Sequence, residues 1–367
     1  MVRGFAARLL SLGAALALTL GVAYADEEKV VHVYNWSDYI DNAVLEAFEK
    51  ETGIKVVYDT YDSNDTLETK LLTGKTGYDV VVPSSHFLAR QIAAGVFMKL
   101  DKSKLPNWKN LDASILERVA IWDEGNSHAV PYMWGTTGFA YNVAKIKERM
   151  PDAPVDSFRM MFDPDVVSKF KDCGVYLMDE VDEVHQVVLN YLGEDGNSHD
   201  AKVLAKVVPV LKSVRPYVTK FHNSAQIDAL ANGDICLTMG YSGDMLQARN
   251  RAIEAKRGVE IQYVIPKEGT LMWFDMMAIP ADAPHPNNAH AFIDFLMRPD
   301  MIAKASNVIF YANGNAAATR LVDPAITADP AIYPTPEVMQ KLFVVTPYGA
   351  KLQRTVTRQF ASVKGNQ

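Results

Sequence analysis

Four short segments carry the side chains from which chemistry could be built: Trp36-Ser37-Asp38-Tyr39, Pro83-Ser84-Ser85-His86, Gly240-Tyr241-Ser242-Gly243-Asp244 and Trp273-Phe274-Asp275. Three of the four set an aromatic ring within three positions of a carboxylate. That pairing suits a primary ammonium. The carboxylate answers the charge, and flat rings wall the methylene chain while attracting the cation through their negative faces, by roughly 0.5–2 kcal/mol each. A linear diamine has such a head at each end, so its site needs acids at two places with aromatics between them. At any single position a structural role competes: Asp38 and Asp244 could cap the helices that follow them, and Trp36 and Trp273 could be core. The repetition favours the ligand reading for the set.

Other chemistries find no support in the spacing. Gly74-Lys75-Thr76 looks like the end of a phosphate-binding loop, but Thr69 stands where its first glycine belongs. Gly240-Tyr241-Ser242-Gly243-Asp244 looks like a nucleophile elbow without its last glycine. The eight histidines show no ligand spacing, so neither a metal nor a cofactor is expected. Glu180, Asp182 and Glu183 cluster near His185; Glu183 is expected to point inward and the others to face solvent.

The elements that must position these segments alternate. Strands are expected over Lys29–Asn35, Ile54–Tyr61 and Tyr78–Val82, and helices over Asp41–Thr52, Asn64–Thr73 and Phe87–Ala94, with Leu67, Leu71 and Leu72 facing inward. This β-α-β-α-β-α order is that of a doubly wound sheet, in which ligands bind beyond the carboxyl ends of strands. A second set follows Trp134-Gly135-Thr136: helices over Ala201–Lys212, Gln226–Asn232, Met245–Ala255 and Asn288–Met297, with strands over Asp234–Met239, Gln262–Ile265 and Phe274–Ile279. No Pro/Ser-rich tether separates the two sets, so the chain is expected to cross between two lobes more than once.

The first 25 residues read as an export signal. Arg3 and Arg8 precede an apolar run from Leu9 to Val22, and Ala23-Tyr24-Ala25 fits the cleavage pattern, with cleavage after Ala25. The run is shorter than the roughly 20 residues a bilayer demands, and without a cysteine at the cleavage point the product should be free in the periplasm. The remaining 342 residues suffice for two domains. Their formal charge, −7 for the whole chain and −9 once the two arginines of the leader are gone, argues against a nucleic-acid partner and suits a cationic one. Cys173 and Cys236, 63 positions apart, read as one disulfide in an oxidising compartment, with two separate thiols as the alternative.

Five segments carry a family resemblance: Val33-Tyr34-Asn35-Trp36-Ser37-Asp38-Tyr39-Ile40, Gly77-Tyr78-Asp79-Val80-Val81-Val82-Pro83-Ser84, Lys102-Ser103-Lys104-Leu105-Pro106-Asn107-Trp108, Val130-Pro131-Tyr132-Met133-Trp134-Gly135-Thr136 and Leu189-Asn190-Tyr191-Leu192-Gly193. With these the chain resembles the periplasmic putrescine- and spermidine-binding proteins of ABC importers, over essentially its whole mature length. The resemblance implies a two-lobed periplasmic binding protein fold of type II, each lobe a mixed sheet flanked by helices. Lobe 1 is expected over 26–135 plus about 268–310, and lobe 2 over about 136–267 plus 311–367. It also implies a monomer that delivers a polyamine to an inner-membrane ABC permease and catalyses nothing. Carried over by position, Trp36, Tyr39, Tyr241, Trp273 and Tyr311 would form an aromatic box. Asp38, Asp244 and Asp275 would bind one amine and Glu183 the opposite end, with Ser37 and Ser84 bonding the ligand. A Cys173–Cys236 bridge is also implied.

One position departs from the pattern. His86 stands where relatives carry a small or amide side chain, so it should be neutral or turned away, or else signal a different ligand. An affinity that weakens below roughly pH 6.5, the ordinary His value, follows if it faces the ligand. Two other classes remain open to test: a periplasmic enzyme acting on amines or peptides, and a sensor module that docks on a receptor.

Overall fold

The computed structural model describes residues 27–365, so the expected leader and its cleavage site lie outside the described residues. The first strand, β1 (Val30–Trp36), pairs in parallel with β2 (Lys55–Tyr61) and β3 (Val80–Val81). Between them run the helices Asn42–Thr52 and Asn64–Thr73. The first is started by the Asp41 side chain, which accepts from the Ala43 N–H, and ended by Gly53 at φ 69°, a left-handed cap that glycine adopts without strain. It buries Val44 and Phe48, each worth roughly 1.5–3 kcal/mol of transfer free energy. The second helix buries Leu67 and Leu71, but Leu72 is 58 % exposed, contrary to expectation. Five positions after Leu67, it has rotated about 140° off that face.

The element that joins the two halves is a single 14-residue strand, β4 (Ala129–Asn142), every residue of which is buried. Its first half pairs antiparallel with β9 (Leu271–Ala278), from Ala129–Ala278 to Thr136–Met272. Its second half, from Thr137 on, pairs with β7 (Leu237–Tyr241) and β8 (Ile261–Val264). β7 continues in parallel to β5 (Val175–Leu177), which pairs with β6 (Lys220–Phe221). The order β2-β1-β3-β9-β4-β7-β5-β6 therefore comprises two sheets hinged on one shared strand. β10 (Ala312–Asn313) pairs with β4 at Trp134 and Met133, and β11 (Phe343–Val344) with β9. The chain passes from the first sheet to the second along β4 and returns at β9, as the lack of a tether suggests.

Three helices begin where strands end. Ser85–Ala93 follows β3, Val181–Tyr191 follows β5, and Ser242–Glu254 starts directly on the last residue of β7. The C-terminal helix, Ala350–Lys364, buries Val356, Phe360 and Val363 and packs against Val181–Tyr191, where Phe360 meets His185, and against Val207–Val214. The expected long helix Ala201–Lys212 is two, Ala201–Leu204 and Val207–Val214.

Cys173 and Cys236 are bonded to each other, with their Cα atoms 5.5 Å apart, which ties the turn before β5 to the entry of β7. Closing a loop of 63 residues constrains the unfolded chain by about 4 kcal/mol. The paired substitution Cys173→Ser/Cys236→Ser should lower denaturant stability by roughly that amount while leaving ligand affinity within a few-fold. Urea unfolding monitored by circular dichroism checks this, and an unchanged midpoint would contradict it.

Candidate functional site

A cavity opens between the two sheets, at the carboxyl ends of the parallel strands. Its lining combines Trp36, Ser37, Tyr39, Tyr61, Asp62, Ser84, Trp273 and Asp275 from the first sheet's side with Glu183, Asn223, Ser224, Tyr241 and Asp244 from the second, and Tyr311 beside β10. Among the described lining residues there is no lysine, arginine or histidine.

Three of the four lining acids are held by hydroxyls. Asp275, on β9, accepts from Ser84 Oγ at 2.6 Å on one oxygen and from Tyr39 OH at 2.8 Å on the other. Ser84 is itself fixed by Asn64, whose Nδ2 donates to Ser84 Oγ at 3.1 Å and whose Oδ1 accepts from the Ser84 N–H. Asp244, in the first turn of Ser242–Glu254, accepts from Tyr311 OH at 2.7 Å, and its N–H donates back to that hydroxyl at 3.1 Å. Glu183, in the first turn of Val181–Tyr191, accepts from Thr137 Oγ1 at 2.9 Å, directly beside the point where β4 changes sheets. Placing the acids in first turns favours their charged forms through the helix dipole. Burial works against it and wins. It pushes Asp275 and Asp244 up to about 7 against their hydrogen bonds from Ser84, Tyr39 and Tyr311, and Glu183 up to about 8, with Asp275 adding repulsion.

The rings form a continuous wall. Tyr39 meets Tyr311 edge-on at 5.1 Å, Tyr311 meets Trp273 at 5.4 Å, and Trp273 meets Tyr241 at 5.5 Å. Across the cavity Trp36 packs on Tyr61 at 4.7 Å and donates its indole N–H to the Val82 carbonyl at 2.9 Å. The two sides touch around the rim. Asn223 Nδ2 donates to the Asp62 carbonyl at 3.1 Å, Arg251 pairs with Asp38 at 2.7 Å, and Arg90 approaches Asp182 at 3.8 Å. The cleft is closed in this structure.

Ten of the twelve positions expected from sequence line the cavity; Asp38 and His86 do not. Asp38 sits at φ 54°, a left-handed turn that Asp tolerates, and gives its carboxylate to Arg251 at the rim. His86 lies in the first turn of Ser85–Ala93, buried with its ring edge-on to Phe87 at 4.8 Å. Burial, with the Arg90 cation adding to it, pushes its pKa down to about 3, so the imidazole is neutral from pH 5 to 8 and cannot weaken ligand binding below pH 6.5. The acid cluster also differs from expectation, since Glu180 and Asp182 are buried along with Glu183. Glu180 accepts from Asn223 Nδ2 at 3.1 Å, and Asp182 from Gln353 of the C-terminal helix at 2.6 Å. Four lining residues were not anticipated: Tyr61, Asp62, Asn223 and Ser224. Tyr61-Asp62 repeats the ring-plus-acid signal at the end of β2 and could have been found by the same rule. Asn223-Ser224 follows the two-residue β6, too short to leave a pattern.

Residues 43–335 match the model of a family described as bacterial extracellular solute-binding protein. The chain is 51% identical, over the full length of both, to the putrescine-binding periplasmic protein SpuD of Pseudomonas aeruginosa strain UCBPP-PA14. It is 49% identical to the putrescine-binding periplasmic protein PotF of Escherichia coli K12, over 98% of this chain and 97% of that one. Among solved structures it is similar to the spermidine/putrescine ABC transporter substrate-binding protein PotD of Streptococcus pneumoniae strain Canada MDR_19A. That match has a TM-score of 0.74 and 29% identity, and covers 92% of this chain and 99% of that one.

The raised carboxyls have a consequence for the unliganded protein. Each holds its proton to a higher pH in the folded chain than in the unfolded one, so the folded state binds more protons and stability falls as pH rises toward 8. The buried imidazoles His86 and His185, pushed down to about 3 and about 4, have the opposite sign and act below their ordinary value near 6.5. Thermal unfolding of stripped protein should therefore show a midpoint falling by several degrees from pH 6.5 to 8.5, and Asp244→Asn/Asp275→Asn should flatten the slope. A rising midpoint in the wild type would contradict the burial account.

Proposed function

The chain belongs to the bacterial extracellular solute-binding proteins, and from that premise we propose that its cavity captures a linear polyamine in the periplasm and hands it to an inner-membrane ABC permease. The two-lobed type II fold expected from the sequence is the one the molecule has. The observation that carries the reading is Asp275. Its two oxygens each accept one hydrogen bond, from Ser84 and from Tyr39, and it lines a cavity with no lysine, arginine or histidine among the described lining residues. An ammonium group supplies what that carboxylate lacks. Asp244 and Glu183 stand on the opposing side, and the rings of Trp36, Tyr39, Tyr241, Trp273 and Tyr311 supply the walls for methylenes. Ser37 adds a hydroxyl at the mouth.

A diamine such as putrescine is the first choice, in keeping with the names of the relatives at 51% and 49% identity. A triamine such as spermidine is the second choice, in keeping with the name of a spermidine/putrescine-binding relative at 36% identity. Rim pairs such as Arg251–Asp38 hold the closed form without touching the ligand. On this reading the protein acts as a monomer and releases its guest unchanged. Export with cleavage after Ala25 completes the reading. We take lobe 1 as 26–135 plus about 268–310 and lobe 2 as about 136–267 plus 311–367, with one adjustment. Residues 311 to about 321 join the first lobe, because β10 pairs with β4 at Trp134 and Asn315 bridges to Leu111.

Because Asp244, Asp275 and Glu183 must shed protons before pairing with a dication, affinity should rise from pH 6 to pH 8, and binding should release protons. Calorimetry with putrescine and spermidine in two buffers of different ionisation enthalpy measures both effects. Asp275→Asn should cost about 3–5 kcal/mol of binding, because it leaves one buried ammonium unpaired. Mass spectrometry of the incubated amine checks that it returns unchanged. The absence of heat with every linear amine up to millimolar levels would end the reading.

A further inference from the structure

Gly135 lies inside β4, where its φ is not left-handed, so no turn or strained backbone demands a glycine there. An interior strand glycine weakens a sheet and marks a close approach by something else. Here the approach is made by an indole. Gly135 is the direct cross-strand partner of Trp273, and a Cβ on Gly135 would stand 2.8 Å from Trp273 Cζ2, 3.0 Å from its Cη2 and 2.8 Å from Ser242 Oγ. Trp273 thus lies over the bare Cα of its partner, and Ser242 closes the other direction. The neighbouring ring repeats the device, since a Cβ on Gly243 would stand 2.3 Å from Tyr311 Cε2.

We propose that Gly135 is a positioning residue that sets the length of ligand the cavity accepts, by giving the Trp273 indole a recess to lie in. The inference rests on the polyamine reading and specifies it further. Any side chain at position 135 must push the indole off the strand by roughly 0.7–1.2 Å to reach ordinary carbon–carbon separation. Ser242 and the strand block retreat, which leaves the cavity as the direction of movement. That displacement is comparable to one methylene of an extended amine. Misfitting one methylene in an apolar slot changes affinity by about 10- to 200-fold.

The test is calorimetry on full-length mature protein with the α,ω-diamines of three to six carbons and spermidine. Gly135→Ala should move the preferred diamine one carbon shorter and lower affinity for the longer members at least tenfold relative to the shorter ones. Its tryptophan emission should shift as the indole moves. Gly135→Ala/Trp273→Phe, which removes the indole atoms that the new methyl meets and leaves only the Ser242 hydroxyl beside it, should restore binding of the longer amines. Equal losses at every length, or no rescue in the double variant, would overturn the proposal by pointing to β4 as a hinge only. If Gly135→Ala alone does not fold, the double variant decides: folded and binding supports the recess, equally unfolded overturns it. A wild type that binds none of the amines sinks the parent reading, whereas a wild type that binds them beside an unshifted Gly135→Ala sinks only this one.

Discussion

The structure is organised around carboxylates buried together in a cavity with no lysine, arginine or histidine among its described lining residues. Asp275, Asp244 and Glu183 face one closed cavity, and burial lifts all three far above the ordinary carboxylate range. A group of like charges taken out of water costs several kcal/mol per ion unless something positive joins it. The protein offsets part of that with hydroxyls, one or two on each acid, which hold the carboxyls in place. On the proposed reading, closure and capture are the same event in energetic terms, since closing removes the water that stabilised the acids and an ammonium supplies the compensation.

The shared strand β4 makes that event mechanically simple. One uninterrupted stretch of backbone pairs with β9 up to Thr136 and with β7 from Thr137 on, so the point of change falls between two adjacent residues. Thr137 is also the residue that bonds Glu183. The position of that acid is therefore tied to the hinge, while Asp275 is tied through Tyr39, Ser84 and Asn64 to the first sheet.

The first half of the fold was legible because its helices and strands obey their periods and end on glycines such as Gly53. The helix Asn64–Thr73 begins and ends where the pattern places it. β4 was not legible, and the reason is physical. It is buried on both faces, so it has no alternation, and it contains Pro131, Gly135 and Gly138, residues that ordinarily punctuate chains. Trp134-Gly135-Thr136 therefore reads as a break between two sets of elements, and β4 does change sheets at Thr136 and Thr137, but within one unbroken strand. Tyr78–Val82 shortened to Val80–Val81 because only those two residues find a partner strand. The site was better marked than the fold. The strand-end rule points to Trp36, Ser84, Tyr241, Asp244, Trp273 and Asp275; Tyr311 comes through family resemblance, and Glu183 through that resemblance and its inward place in the acid cluster. Asp38 and His86 show the limit of adjacency in sequence: a residue next to a site can turn to the rim, as Asp38 does toward Arg251, or into the core beside Phe87.

The C-terminal helix braces the second half of the cavity from behind. Phe360 meets the His185 ring on Val181–Tyr191, and Gln353 donates to Asp182 on the same helix. The helix that presents Glu183 is thus held by a residue 171 positions further along the chain, so a change on that distant helix would loosen one wall of the cavity without touching any residue that lines it.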